Sequence, residues 1–248
     1  MLEKVTGGEV PPVVLVDFAM FSTADTLTGL IGVPESGRAV YRVEAVQDLE
    51  AHGHLSVKRL ADLLAREIEA ELAGPPAAVL GWCSAATLTM EIAQRVGDAE
   101  VVLVEPTWPT TEEIGQELAH LRTTLGAGPG GAPAEITRDS VLAVLRADLV
   151  TKLTADGIPE SELETCVDLL SGRYRAWFDF LFATAEAATP APARPVRIVT
   201  SRDSDRGPAP GWTPAEWEPV RVDVPGGEFL RSPAARERIL GLAGRRHG

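Results

Sequence analysis

The residues best placed to do chemistry lie in one short stretch, Ala77-Ala78-Val79-Leu80-Gly81-Trp82-Cys83-Ser84-Ala85-Ala86. A short apolar run meets a turn of small residues and passes at once into a helical pattern over 87–96. That order of strand, tight elbow and helix N-terminus presents one reactive side chain at the top of a sheet. The usual form of the elbow is G-x-S-x-G; here it is Gly81-x-Cys83-x-Ala85, with cysteine at the reactive position. A thiol there predicts attack on an activated acyl group and a covalent acyl intermediate. The N–H of Ser84, at the start of the following helix, is expected to donate to the developing oxyanion, and the helix N-terminus favours the thiolate. The second oxyanion donor is expected from the loop after the first buried strand, at the N–H of Met20.

The elements that must hold this elbow follow from hydrophobic pattern. Val13-Val14-Leu15-Val16 predicts a buried parallel strand, and 38–43 a second. Residues 44–54 are expected as a polar connection. Ser56 then caps an amphipathic helix with Leu60, Leu63, Leu64, Ile68 and Leu72 on one face. After Gly74-Pro75-Pro76 come the strand 78–80, the elbow with its helix, and a strand at 101–104. Such alternation predicts an α/β fold: a mostly parallel sheet with helices on both faces. Strands then cease. Helices are expected over 110–125, 140–153 and 161–185, around a Gly/Pro/Ala turn at 126–133. Ala187 to Pro195 is expected to lead back to strands at 196–200 and 220–224 and a closing helix at 231–243. The expectation is one domain over 1–248 with a helical lid insertion at about 107–189.

Composition narrows the function. The chain has 248 residues, 45% of them hydrophobic, enough for a sizeable core. No apolar run approaches the length of a membrane span, and residues 1–5 lack a signal pattern, so a cytoplasmic protein is expected. A net charge of −13 argues against nucleic acid as a partner. Cys83 and Cys166 suggest neither a disulfide framework nor a metal site, and no cofactor is expected. Cys166 lies in an apolar helical stripe and is expected in the core.

The whole chain resembles an α/β-hydrolase of the thioesterase type that releases chains from polyketide and non-ribosomal peptide assembly lines. The resemblance is carried by Leu55-Ser56-Val57, Gly81-Trp82-Cys83-Ser84-Ala85, Val101-Val102-Leu103-Val104-Glu105 and Val224-Pro225-Gly226-Gly227-Glu228-Phe229. With cysteine as nucleophile, the chain is also similar to the stand-alone Dieckmann cyclases that form tetramates. The resemblance implies an acyl or peptidyl carrier protein bearing the thioester as partner. By position, the family's orienting acid falls on Glu105, where Asp is usual; where the acid follows the next strand instead, Asp203 or Asp205 matches. The family's general base, a His after two glycines, falls on Glu228, the sharpest departure in the chain.

Without that imidazole, water lacks an activator, whereas thioester exchange onto a thiol needs little help. The departures favour acyl transfer to Cys83 followed by cyclisation, with Glu105 or Glu228 taking the α-proton of a β-ketoacyl chain. The alternatives are a type II editing thioesterase that hydrolyses, and a non-acylating binding protein or isomerase of the same fold. Of the other histidines, His52 and His54 are expected in the loop on the active-site edge of the sheet, where loop histidines are usually solvated, and His120 in the lid. Trp82, Trp108, Trp177 and Phe178 are candidates to line an acyl channel, and Arg138, Arg146, Lys152, Arg173 and Arg175 to meet an acidic carrier.

Overall fold

The computed structural model describes residues 2–8, 10–18, 26–32, 37–127 and 133–244. Its chain divides into two compact units, one of 1–45, 56–108 and 187–248, the other of 46–55 and 109–186.

The first unit is built on a seven-stranded sheet. Its strands are β1 (Leu2–Thr6), β2 (Val10–Val16), β3 (Arg38–Val43), β4 (Ala78–Trp82), β5 (Glu100–Val104), β6 (Val196–Thr200) and β7 (Trp217–Arg221). Their order is β1-β3-β2-β4-β5-β6-β7, parallel except for β1, which runs antiparallel to β3. Val13 to Val16 are fully buried, as a strand covered on both faces requires. Alternation along β5 shows the two faces. Val102 and Val104 join Leu27 and Ile31 of α1 (Leu27–Ile31) and Ile239 and Leu242 of α8 (Pro233–Ala243). Leu103 faces the other way, onto Ala86 and Met90 at α4 (Ala86–Ala93). Helix α3 (Val57–Glu71) packs beside α4 and is capped by the Ser56 hydroxyl, which accepts the Arg59 N–H at 3.3 Å. This is the α/β-hydrolase fold. Among the described residues no helix is long and apolar enough to cross a membrane.

Two expected elements differ. The polar connection at 44–54 contains a helix, α2 (Ala45–His52), because Ala45, Val46 and Leu49 share a buried face. The last strand is Trp217–Arg221 instead of 220–224. It lies at the sheet edge, where Pro219 is tolerated because the missing N–H has no ladder to join.

The second unit is helical. It contains α5 (Thr111–Thr124), α6 (Arg138–Ala155) and α7 (Glu160–Glu186). Thr110 closes a capping box with Glu113, and Thr137 caps α6. Arg122 of α5 is ion-paired with Asp148 of α6 at 2.6 Å, and Arg146 of α6 with Asp168 of α7 at 2.7 Å. Residues 176–184 of α7 are all buried.

Candidate active site

Strands β4, β5 and β6 are parallel neighbours, so the residues that follow them collect at one edge of the sheet, the C-terminal edge where such folds bind ligands. Cys83 follows β4, Glu105 follows β5, and the segment 201–206 follows β6.

Cys83 has φ 52°, in the left-handed region, and begins a 3-10 turn (Cys83–Ala85) leading into α4. Gly81 explains why the elbow starts as it does. A Cβ there would stand 2.8 Å from Thr89 Cβ and closer still to Thr89 Oγ1, so β4 and α4 approach at a distance only glycine permits. Ala85, at the position of the motif's last glycine, is fully buried, and its carbonyl accepts the Thr89 hydroxyl at 2.8 Å. Ser84 is buried in the first turn after Cys83, where amide groups lack intrahelical acceptors and point out of the helix end. Met20, the expected second oxyanion donor, lies outside the described residues.

Glu105 has φ 47°. Among the described residues, Cys83 and Glu105 are the two non-glycine residues with left-handed backbone. Strain of this kind gathers at functional sites because surrounding structure must enforce it. The Glu105 carboxylate is buried and accepts the Ser201 N–H at 2.5 Å and the Ser204 hydroxyl at 2.6 Å. It therefore joins the ends of β5 and β6.

Two groups that sequence reasoning missed meet the sulfur. The Thr107 hydroxyl is 3.5 Å from Cys83 Sγ, and the Thr107 N–H donates to the Cys83 carbonyl at 3.1 Å. Arg206 Nη1 lies 3.8 Å from Sγ and donates to the Glu105 carbonyl at 2.8 Å. Arg206 Nε is 3.8 Å from Glu105 Oε2. The hydrogen-bond partners of the sulfur among the described residues are thus a hydroxyl and a guanidinium. The only signal for Arg206 was its position, in a loop leaving a strand at the ligand-binding edge.

The remaining candidates are placed as follows. Glu228 is exposed in a 3-10 turn (Gly226–Arg231), and among the described residues its carboxylate has no hydrogen-bond or ion-pair partner. Asp203 accepts the Gly226 N–H at 2.8 Å, and that bond holds its carboxyl below the usual range. Asp205 is exposed. Trp82 is half-buried against the core. Trp108 donates to the Gly207 carbonyl at 3.0 Å and meets Trp212 edge to face, ring centroids 5.6 Å apart. In the helical unit, Phe178 has no exposed surface, and Trp177 is buried, stacked on Phe180 and bonded to Glu117 Oε1 at 3.2 Å. The Trp177 contacts with Phe180 and Glu117 lie within that helical segment. His54 also belongs to this unit, its Nδ1 3.8 Å from Asp179, which Arg138 pairs as well. His52 and His120 are exposed there, and Cys166 is half-buried. Arg138, Arg146 and Lys152 are in ion pairs, while Arg173 and Arg175 are exposed.

No known family's sequence profile matches the chain, and no curated protein matches it by sequence. Solved structures do match in fold. The NocB thioesterase domain, solved as a covalent complex with a fluorophosphonate nocardicin G analogue, aligns with TM-score 0.57 at 14% identity over 99% of this chain and all of that one. YbtT, a type II thioesterase of the yersiniabactin pathway, aligns with TM-score 0.57 at 16% identity over 98% and 96% of the two chains. An acetylester hydrolase from Corynebacterium glutamicum aligns at 0.51 and 12% identity over 98% and 88%. These likenesses define the fold class stated above.

Proposed function

We propose that this chain is a chain-release enzyme of natural-product assembly lines, one that takes an acyl group from a carrier-protein thioester onto Cys83 and releases it by cyclisation. The observation that carries the reading is the left-handed Cys83 at the end of β4, beside a second strained residue, Glu105, at the end of the adjacent strand. Fold likeness to thioesterase domains supports the reading by analogy only.

The character of the sulfur's neighbours supports cyclisation over hydrolysis. A hydroxyl and a guanidinium stabilise charge but do not take a proton from water near neutral pH. An acyl-Cys83 thioester would persist until a carbon or nitrogen nucleophile of the same chain, as in a Dieckmann closure, attacks its carbonyl. Ser84 donates to the oxyanion in both steps. Glu105 acts by holding the β5 and β6 loops in register. Fold likeness to a type II thioesterase favours a second reading, in which water completes the turnover.

The test is intact-protein mass spectrometry with a β-ketoacyl thioester of N-acetylcysteamine. A persistent acyl adduct, absent in Cys83→Ala and chased into a ring product without free acid, is expected. Rapid free acid with a fleeting adduct selects the hydrolytic reading. No adduct at all overturns both.

A further inference from the structure

Arg206 is more tightly placed than an arginine in a surface loop needs to be. Its side chain is 37% exposed, yet Nη1 and Nε both face the strained pair. Nη1 is shared between the Glu105 carbonyl at 2.8 Å and the Cys83 sulfur at 3.8 Å, while Nε faces Glu105 Oε2. The backbone on either side is tied as well. The Arg206 N–H donates to Ser204 Oγ at 3.3 Å, the same hydroxyl that donates to Glu105. On the other side, Trp108 holds the Gly207 carbonyl. The left-handed backbone of Glu105 turns its carbonyl to meet the guanidinium, so the strain there has a use.

A guanidinium keeps its proton throughout the range in which proteins fold. At this position it supplies fixed positive charge and directed N–H groups, and no proton transfer. We propose that Arg206 is a catalytic residue of the acyl-transfer reaction: it carries the negative charge of the Cys83 sulfur when that sulfur attacks a thioester and again when it is expelled. The proposal rests on the reading of Cys83 as the acyl acceptor. In acylation the Sγ–C bond forms and the bond from the acyl carbon to the carrier sulfur breaks. The electron pair leaves on the carrier sulfur, which ends with the proton that the Cys83 thiol gave up. In release the internal nucleophile bonds to the acyl carbon, the C–Sγ bond breaks, and the electron pair returns to Sγ beside Arg206. The nucleophile's proton ends on Sγ and restores the thiol. Arg206 is unchanged at every stage.

The experiment compares the full chain with Arg206→Lys, Arg206→Gln and Arg206→Met. Two quantities are read: the single-turnover rate of Cys83 acylation by an acyl N-acetylcysteamine thioester, and the ratio of alkylation rates with anionic iodoacetate and neutral iodoacetamide. Charge removal in Gln and Met should slow acylation roughly tenfold to a hundredfold, the scale for losing one charge-stabilising donor discounted for partial exposure. It should also lower the iodoacetate to iodoacetamide ratio, since the anion loses its attractor; Lys should retain most of that ratio. Gln can still donate to the Glu105 carbonyl, so a fall shared by Gln and Met reports charge and not loop disorder. If acylation rates stay within twofold and the ratio is constant across all four proteins, the role of Arg206 is overturned while acyl-Cys83 survives. A wild-type chain that forms no adduct on Cys83 overturns the acyl-transfer reading and this proposal together.

Discussion

The indole of Trp108 donates a hydrogen bond to the carbonyl oxygen of Gly207, 3.0 Å away, and so ties the segment after β5 to the residue next to Arg206. Trp212 supports the same ring edge to face. Aromatic character at position 108 suits an acyl channel, but the contacts it makes are those of a brace between two loops that leave neighbouring strands.

Trp108→Phe separates these roles. Phenylalanine keeps most of the ring against Trp212 and removes the N–H. As a brace, Trp108 should lower the acylation rate constant several-fold at saturating thioester, leave the half-saturating concentration unchanged, and lower stability by about 1 kcal/mol. Single-turnover acylation against thioester concentration gives the first two quantities, and urea unfolding the third. A raised half-saturating concentration with an unchanged limiting rate would instead assign Trp108 to the substrate.

The legible parts of this molecule were those set by local pattern. Buried runs such as 13–16 and 102–104 are strands because only β-branched and aliphatic residues fill a strand covered on both faces. Ser56 announces a helix because its hydroxyl satisfies an N-terminal amide. Elements carrying little local signal were missed. Strand β1, Leu-Glu-Lys-Val-Thr, is a short charged edge strand defined by its pairing with β3. Helix α2 spans just two turns, too few for its period to stand out. The tight turn at Cys83 was legible because the elbow is contiguous in sequence. Arg206 was not, because 123 residues separate it from Cys83 and no spacing rule joins them. Glu228 shows the converse: a residue placed by its Gly-Gly context, and found exposed.

Gly81 provides a test of the elbow that is independent of chemistry. In Gly81→Ala the new methyl group meets Thr89 Cβ at 2.8 Å, and both belong to packed elements with little room to yield. Overpacking of this kind costs about 1–3 kcal/mol. The expected outcome is a lower urea midpoint, with part of the loss recovered in Gly81→Ala/Thr89→Ala. Recovery should be incomplete because Thr89→Ala removes the Oγ1 clash but keeps the Cβ at 2.8 Å, and also forfeits the hydroxyl bond to the Ala85 carbonyl. An unchanged midpoint in the single variant would mean that β4 and α4 are not in the close register described.

Asp17 predicts a pH dependence whose sign can be fixed. Its carboxylate, 1% exposed just after β2, accepts the Phe18 N–H at 2.8 Å and the Thr28 N–H at 2.7 Å, joining the end of β2 to the first turn of α1. Burial pushes its pKa above the ordinary 3.8, an effect only partly offset by those two N–H groups and by Arg42. The folded chain therefore binds this proton more tightly than the unfolded chain. Its stabilising contribution is complete below 3.8 and declines as pH rises through the folded value. Asp17→Asn does not titrate, and its amide nitrogen must face one of the two donors, at a cost of about 1–3 kcal/mol. The wild-type advantage over Asp17→Asn in urea unfolding should thus be greatest at low pH and shrink as pH rises through the folded value. An advantage that widens with pH would show that the two N–H bonds outweigh burial, and that the link is held by the charged carboxylate.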